Sequence, residues 1–403
     1  MRICIELDTI ASKAKTLNIL INYNKIMIER KIMKDKKIKV AMVTNHLGIT
    51  GIGTVMMNYC KALDKNKFDL TIIAGNPIAN VYRSECDEFG VKLIALPSRH
   101  QESIKHYIGL WMELKKGNFD IVHVHGSSSM MAIELTIAKI AGVKERIAHS
   151  HSSQCFNMTL QHLLNPYFKK IYTKAIACSE VAGAWLFGKG NYTILPNGFD
   201  TSKFKFCLRD RKRIRLELGV DNKFVIGHVG RFNEIKNQAY ILAIFENIAR
   251  KHDDIYLILV GAGPDFYKIK NLAQKHLFAN RIIIFGETNN PAPLYSAMDV
   301  FLFPSLYEGL GIVAIEAQIN GLPCVISDRV PRIVKVGENI SFIPIGNDNI
   351  QNWIKEIEKY RSYSIDRVQV WHQKENKFAE YDIHYCAASL ENIYINLCKN
   401  RLS

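Results

Sequence analysis

The chain has 403 residues, which exceeds one ordinary domain and suits two domains of roughly 150–200 residues each. Apolar residues make up 48% of the chain, so global disorder is excluded. The formal net charge of +15 favours an anionic partner, either a phosphorylated substrate or an anionic lipid surface, although a lysine-rich solvated surface would give the same charge. No zinc-finger or aromatic RNA-binding signature favours nucleic acid as that partner.

The cysteines and the hydropathy pattern indicate a cellular compartment. The nine cysteines, an odd number without C-x-x-C spacing, predict reduced thiols rather than a disulfide framework or a zinc site. No apolar run reaches the ~18 residues of a membrane span, and the N-terminus lacks the layout of a signal peptide. We therefore expect a cytoplasmic protein.

Residues 1–36 differ from the rest of the chain. They are rich in Lys, Ile and Asn, and no glycine occurs before Gly48. Met27 and Met33 could each be the true start, so the segment is either an artefact of the assigned translation start or a short amphipathic helix that lies on a membrane.

Strands alternate with helices from residue 37 onward. The periodicity predicts helices such as 55–63 and 103–115 between the first strands. This alternation predicts a parallel sheet with helices on both faces. The predicted strands of this first domain, residues 37–205, are 38–43, 69–74, 91–96, 121–125, 146–150, 175–178 and 193–195.

A second series of the same kind fills residues 206–375, and the linker is expected near 200–207. Two α/β sheets in tandem leave a cleft between them, and such folds bind ligands outside the carboxyl ends of their strands. We therefore predict two doubly wound, Rossmann-like domains that face a central cleft. The second set of predicted strands is 224–229, 255–260, 282–285, 300–303, 324–326 and 342–344.

A glycine-rich loop follows the first predicted strand. Gly48, Gly51 and Gly53 would let a substrate approach the backbone closely. A dinucleotide-binding fingerprint is the alternative interpretation, but Met56 stands where that fingerprint requires a third small residue.

Two His-x-His pairs, His123 with His125 and His149 with His151, stand at predicted strand ends. Such pairs invite a metal site, but no neighbouring residue completes a metal motif, so we predict no metal. Histidines satisfied by local hydrogen bonds are the plainer interpretation.

The segment 230–237 follows the first strand of the second domain and contains Arg231 and Lys236. A guanidinium can bind two phosphate oxygens at once, and an ammonium acts as a point charge. Two fixed cations would stabilise the charge that develops on a departing diphosphate. A solvated loop pair is the alternative.

Glu308 and Glu316 frame a glycine-rich turn between a strand and a helix. The first N–H groups of a helix lack internal partners and favour anions, whereas carboxylates accept hydrogen bonds from sugar hydroxyls. A loop carboxylate, a helix start and a second carboxylate can therefore bind a sugar, a diphosphate and a ribose in that order. A solvated helix carboxylate is the alternative for Glu316.

The segment 307–317 resembles the Glu-x7-Glu signature of family 4 glycosyltransferases, which have the GT-B fold. The resemblance covers the chain from about Lys37 onward, and the extra leading segment is its main departure. It implies that Glu308 meets the donor hexose, Glu316 meets the ribose, and Arg231 with Lys236 binds the phosphates. It also places His149 at a sugar hydroxyl, with His151 as its rival. Further donor contacts are implied for Gly51, Gly53, Thr288, Gly309, Leu310, Gly311 and Ile312.

The same resemblance implies a reaction and its partners. It implies a retaining transfer of a hexose or N-acetylhexosamine from a nucleotide diphosphate sugar, most simply a UDP sugar, without a metal ion or other cofactor. The acceptor would be a polyprenyl-linked glycan of a capsule or exopolysaccharide at the membrane surface, which suits a cytoplasmic, peripheral protein. Residues 376–403 would form a helix that packs back on the first domain. A GT-B epimerase or phosphorylase and a non-catalytic scaffold remain the alternatives.

Overall fold

The computed structural model describes residues 37–399 apart from Ile49, Ser153, Gln154, Phe156, Tyr363 and Ser364. The two interpretations of the leading segment 1–36 therefore lie outside the described residues.

Seven parallel strands form the first sheet, in the order β3-β2-β1-β4-β5-β6-β7. Most of them are almost continuously apolar, as expected for strands that helices cover on both faces. The strands are β1 (Ile38–Thr44), β2 (Phe68–Gly75), β3 (Lys92–Leu96), β4 (Ile121–Gly126), β5 (Glu145–Ser150), β6 (Lys174–Ala177) and β7 (Thr193–Ile194). The helices are α1 (Gly51–Ala62), α2 (Asn80–Glu88), α3 (Ser103–Gly117), α4 (Ala132–Ile140), α5 (Met158–Ile171) and α6 (Glu180–Phe187).

Six parallel strands form the second sheet, in the order β10-β9-β8-β11-β12-β13. The strands are β8 (Phe224–Val229), β9 (Ile255–Val260), β10 (Ile282–Gly286), β11 (Val300–Phe303), β12 (Cys324–Ser327) and β13 (Ile340–Ile343). The helices are α7 (Leu208–Glu217), α8 (Gln238–Ala249), α9 (Phe266–Gln274), α10 (Ala292–Ala297), α11 (Ile312–Ile319) and α12 (Ile350–Arg361).

Two further helices complete the chain, and each packs on a different domain. Trp371 and Phe378 of α13 (Arg367–Ala379) join the apolar core of the second domain. Leu390 and Tyr394 of α14 (Ile383–Lys399) pack instead in the core that α1 and α2 share with the first sheet. The chain therefore returns to the first domain at its C-terminal end, where the family resemblance placed it.

The predicted pair of parallel sheets is confirmed, and the differences at element ends have local causes. The last helix, expected within residues 376–403, begins at Ile383. Phe199 explains this shift, because its N–H bonds to the Tyr381 oxygen at 3.0 Å and its oxygen accepts from the Ile383 N–H at 3.0 Å. Residues 381–383 are thus hydrogen-bonded to Phe199, just before the expected linker, and the chain becomes helical only from Ile383.

Strand order fixes where the two sheets can bind a ligand. In both sheets the order reverses between the first and fourth strands, β1 and β4 in one and β8 and β11 in the other. The loops that leave the carboxyl ends of such strands diverge and open a crevice. The glycine loop follows β1, the loop with Arg231 follows β8, and the loop with Glu308 follows β11.

Candidate active site

Two adjoining cavities lie between the domains. The first, of about 480 Å³, is lined by His46, Gly48 and Thr50 of the first domain and by Arg231 and Thr288 of the second. The second, of about 370 Å³, is lined by residues of both domains that include Thr54, Tyr82, Thr288 and Glu316. Because Thr288 and Pro291 line both cavities, the two cavities form one continuous cleft. We call the first the Arg231 cavity and the second the Glu316 cavity.

Lys236 and Glu308 form an ion pair that joins the loops after β8 and β11. The Lys236 Nζ lies 2.5 Å from Glu308 Oε1 and 4.8 Å from the centre of the Phe303 ring. Both side chains are mostly buried, with exposures of 18% and 12%. A backbone bond of 2.8 Å from the Leu306 N–H to the Ile235 oxygen holds the same two loops together. The structure thus brings these two predicted residues into contact.

The loop that carries Lys236 has a sequence that fixes its shape. Asn233 caps a short 3₁₀ turn, because its side-chain oxygen accepts from the Lys236 N–H at 3.0 Å. Asn237 then adopts a left-handed conformation with φ of 58°, which Asn tolerates better than most residues. Lys236 is therefore positioned by an asparagine on either side.

Arg231 lines the Arg231 cavity, in which it faces the first domain across the cleft. Its backbone oxygen accepts a hydrogen bond of 2.9 Å from Gln238 Nε2, and Gln238 is itself buried. Burial is the main cause that lowers the pKa of His46, followed by the positive charges of Arg231 and His100. His46 is thus held neutral opposite the guanidinium, beside a space that would admit an anion.

The turn that begins α11 presses against the first domain. Gly311 has a φ of +89°, a conformation in which a side chain is strained. A Cβ on Gly309 would lie 2.7 Å from the His151 oxygen, and Ser179 Oγ donates to the Gly309 oxygen at 3.2 Å. Leu310 is buried between these glycines, whereas Ile312 is partly exposed. The backbone from Gly309 to Gly311 therefore lies against the first domain and leads into the start of α11 at Ile312, and its contact with a donor stays a prediction.

Glu316 lies one turn into α11 and lines the Glu316 cavity. The Tyr295 hydroxyl donates to its Oε2 at 2.8 Å. Burial raises the pKa of the Glu316 carboxyl to about 7, although the bond from Tyr295 opposes that shift. This carboxylate is held in place by a tyrosine but is not neutralised by it.

The glycines of the first loop differ in what surrounds them. A Cβ on Gly51 would meet no atom within 4 Å, whereas one on Gly53 would lie 2.2 Å from the Gly48 oxygen. Thr50 caps α1 through a bond from the Gly53 N–H of 3.3 Å. The buried Gly53 therefore lets the turn close, and Gly51 stands at the more open end of the same helix.

The four histidines of the His-x-His pairs form a stacked cluster. His123 Nε2 lies 3.1 Å from His149 Nδ1, and His125 Nδ1 lies 3.0 Å from His151 Nε2. The Tyr394 hydroxyl of α14 lies 2.7 Å from His123 Nδ1. Burial lowers the pKa of His123 to about 3 and that of His151 to about 4, and it lowers the pKa of the other two well below the ordinary value. All four rings are therefore neutral at pH 7.

His149 and His151 occupy different positions relative to the cleft. His149 is fully buried within β5, at 0% exposure. His151 follows the strand, donates from Nδ1 to Asn197 Oδ1 at 3.1 Å, and meets the turn at Gly309 beside Glu308. The His151 backbone thus lies at the Gly309 turn, but both of its ring nitrogens are hydrogen-bonded within the protein, whereas His149 Nε2 has no hydrogen-bond partner among the described residues. The choice between the two as the sugar contact stays a prediction.

The spacing of the histidines would admit a metal ion. His123, His125 and His149 each bring one ring nitrogen within 4.8 Å of the others. Hydrogen bonds within the cluster already involve one nitrogen of His125 and one of His149, as well as both nitrogens of His123. The absence of a metal in the reaction stays a prediction.

Three residues that the sequence did not indicate complete the site. His46 faces Arg231, Gln238 holds the Arg231 backbone, and Tyr295 holds Glu316. None of them belongs to a recognisable motif. Tyr295 lies 21 positions before Glu316, and only the placement of α10 beside α11 brings them together.

A cleft between two doubly wound sheets, with a basic loop and two acidic residues on one wall, is the arrangement of a glycosyltransferase of the GT-B class. Residues 49–203 match the family model described as Glycosyltransferase Family 4, and residues 210–376 match Glycosyl transferases group 1. Glycosyltransferase EpsF of Bacillus subtilis is 32% identical over 322 residues, which are 76% of this chain and 83% of the relative. The chain belongs to glycosyltransferase family 4.

Two further relatives and one solved structure agree with this assignment. The capsular polysaccharide biosynthesis glycosyltransferase CapH of Staphylococcus aureus is 26% identical, covering 89% of this chain and 99% of CapH. The UDP-Gal:alpha-D-GlcNAc-diphosphoundecaprenol alpha-1,3-galactosyltransferase of Escherichia coli is 26% identical, covering 72% and 80%. The crystal structure of Anabaena HepE with UDP-glucose has a TM-score of 0.73 at 16% identity, covering 89% of this chain and 99% of HepE. This protein is thus related to enzymes of capsule and exopolysaccharide synthesis and shares the GT-B fold.

The raised pKa of Glu316 predicts a pH-dependent effect of Glu316→Gln on stability. The unfolded chain loses this proton near its ordinary pKa of 4.5, whereas the folded chain keeps it to about 7, so folding becomes less favourable as the pH rises between these values. We expect Glu316→Gln to raise the free energy of unfolding by roughly 1–3 kcal/mol at pH 8, and by less than half of that at pH 5. Urea denaturation at both pH values measures this.

The matched control is Glu375→Gln, which changes an exposed glutamate of α13. It should leave the free energy of unfolding almost unchanged at both pH values. If Glu316→Gln behaves like this control, the carboxyl of Glu316 is not destabilised by burial.

Proposed function

We propose that this protein transfers a hexose or N-acetylhexosamine from a nucleotide diphosphate sugar, with retention of anomeric configuration, to a lipid-linked glycan of a cell-surface polysaccharide. The observation that carries the proposal is the Lys236–Glu308 pair, which joins the loops after β8 and β11. Arg231 of the first of these loops lines a cavity together with Gly48 and Thr50 of the other domain. One wall thus presents both a cation for a phosphate and a carboxylate for a sugar.

The two cavities suit the two parts of the donor. In the Glu316 cavity, the Glu316 carboxylate would accept hydrogen bonds from the ribose hydroxyls. The nucleotide base would lie near Thr288 in the same cavity. Arg231 and the start of α1 line the first cavity, where the diphosphate would lie. The fold similarity to HepE with UDP-glucose and the UDP-Gal in the name of the E. coli relative support uridine diphosphate as the nucleotide part of the donor.

Charge stabilisation would come from the protein itself. As the bond between the sugar and the diphosphate breaks, negative charge grows on the leaving phosphate, and Arg231 and Lys236 supply two cations for it. Lys236 would share its ammonium between Glu308 and that phosphate. We propose on this basis that the reaction needs no metal ion, so that excess EDTA would leave turnover unchanged.

Glu308 and His151 would bind the hexose. Glu308 is mostly buried and would accept from sugar hydroxyls, and His151 is the histidine whose backbone meets the Gly309 turn next to Glu308. Retention would follow from attack on the same face as the leaving group, with a donor phosphate oxygen taking the acceptor proton. The protein would supply position and charge rather than a nucleophile.

A thermal-shift panel tests the donor class. UDP, GDP, ADP and dTDP sugars are each added to the protein, and a ligand of the folded state raises the melting temperature by mass action. We expect the UDP sugars to give the largest rise, and Glu316→Ala to remove most of it. No rise with any nucleotide sugar would contradict the proposal.

Lys236→Ala tests whether Lys236 stabilises the leaving phosphate. One charge contact made in the transition state contributes about 10²-fold or more to turnover, so we expect at least that loss in kcat. Glycosyl transfer from the best donor of the panel is the assay. Lys270→Ala, an exposed lysine of the same domain, is the control and should retain full activity. Near-normal turnover of Lys236→Ala would refute this role of Lys236.

A pair of histidine variants tests which ring serves the sugar. His151→Ala should lower kcat by about 10²-fold while leaving the affinity for UDP alone unchanged, because UDP lacks the sugar. His149→Gln should lower the melting temperature, because it disturbs the bond to His123, with turnover of the folded fraction within a few-fold of wild type. The reverse pattern would return the sugar contact to His149.

A further inference from the structure

Helix α3 is apolar on the side that faces away from the protein. Its inner side carries the buried Leu110 and Leu114, which pack in the core of the first domain. Its outer side carries an exposed stripe with spacings of three and four residues, which places its members on one face. These are Ile104 at 74% exposure, Ile108 at 53%, Trp111 at 42% and Met112 at 56%. A helix that is apolar on both sides normally lies between two apolar layers.

The neighbouring helices extend this exposed apolar surface. Helices α3, α4 and α5 pack side by side on one face of the first sheet and share one core. Ile140 of α4 is 67% exposed and Leu163 of α5 is 72% exposed. Tyr167 of α5 is 48% exposed, and its hydroxyl lies 3.0 Å from Thr136 Oγ1 of α4. We call this outer surface of the three helices the α3–α5 face.

The charges on the α3–α5 face are mostly positive. Glu134 of α4 is buried and bound to Arg99, and α5 contains no acidic residue. On α3, Glu113 is partly exposed, and Glu102 just before the helix pairs with Lys105. Six exposed lysines accompany the apolar side chains: Lys105, Lys115, Lys116, Lys139, Lys169 and Lys170.

The α3–α5 face begins beside the cleft. Each of its helices follows a strand of the parallel sheet, so each begins at the strand carboxyl ends, where the cleft opens. Ile104 and Met158 therefore lie at the end of the face nearest to the cleft, and Met158 is 45% exposed. A surface held against this face would border the entrance to the active site.

We propose that the α3–α5 face docks the protein on an anionic phospholipid bilayer, an inference that rests on the proposed lipid-linked acceptor. Apolar side chains with a tryptophan would enter the headgroup boundary, and lysines around them would meet lipid phosphates. None of the helices in the described part of the chain is long and apolar enough to cross a membrane. Docking by this face would bring a lipid-anchored sugar to the cleft.

Vesicle co-sedimentation of the full-length protein tests this docking. Wild type should bind vesicles of phosphatidylglycerol and phosphatidylcholine more tightly than vesicles of phosphatidylcholine alone. The double variant Ile108→Glu/Trp111→Glu should lower the partition coefficient by about tenfold or more, because it places charges in the apolar stripe. Leu216→Glu/Tyr267→Glu is the matched control, since both residues are exposed apolar side chains of the second domain, at 76% and 77%.

A second pair of variants tests the charges without touching the apolar stripe. Lys115→Ala/Lys116→Ala should weaken binding to the anionic vesicles by roughly five-fold per lysine and leave binding to neutral vesicles unchanged. Lys212→Ala, an exposed lysine of α7, should change neither. All variants should keep the rise in melting temperature with a UDP sugar, which shows that the active site is folded.

Several outcomes would overturn the proposal. Unchanged vesicle binding in both α3 variants would do so. So would a loss of binding that occurs on deletion of residues 1–32 but not in the α3 variants, or a change in self-association without a change in vesicle binding. If vesicle binding behaves as expected but no nucleotide sugar is bound, the proposed function fails while the docking surface stands.

Discussion

The contact between Lys236 and Glu308 organises the active-site wall of the second domain. It joins the loops that leave β8 and β11, the two strands at which the strand order of that sheet reverses. Each partner is mostly buried, so loss of either would leave the other charge poorly compensated, which is costly in a protein interior. The pair would therefore keep the loop cation and the loop carboxylate in place before the proposed donor arrives, so that its diphosphate and sugar would bind with little reorganisation.

Glu316 shows the opposite arrangement, in which a carboxyl group is buried without a cation beside it among the described residues, and at a cost in stability. Its neighbour Tyr295 supplies one hydrogen bond but no charge, and burial raises the pKa of the carboxyl to about 7. A ribose would supply further donors to the ionised carboxylate and lower that pKa again. The donor would thus satisfy a group that the free protein leaves incompletely satisfied, which makes binding sensitive to the presence of ribose hydroxyls.

The fold and the acidic and basic motifs could be predicted from the sequence because they depend on local patterns. Apolar strands separated by helices specify the two sheets, and Glu308 and Glu316 stand at fixed places in one strand–turn–helix unit. The contacts between distant segments could not be predicted. His149 and His151 are two positions apart, and only the place where β5 ends keeps His149 within the strand and brings the His151 backbone to the Gly309 turn. Likewise, nothing in the spacing of Tyr295 indicated that it would hold Glu316.

The two domains divide the work by the chemistry of their surfaces. In the proposed reaction the second domain would supply both cations and both carboxylates for the donor, whereas the first would supply the opposite wall and the apolar, lysine-rich α3–α5 face. A lipid-linked acceptor cannot leave its membrane, so the domain that meets the membrane must also border the cleft. The start of α3 fulfils this condition, because it lies at the strand ends from which the glycine loop also emerges.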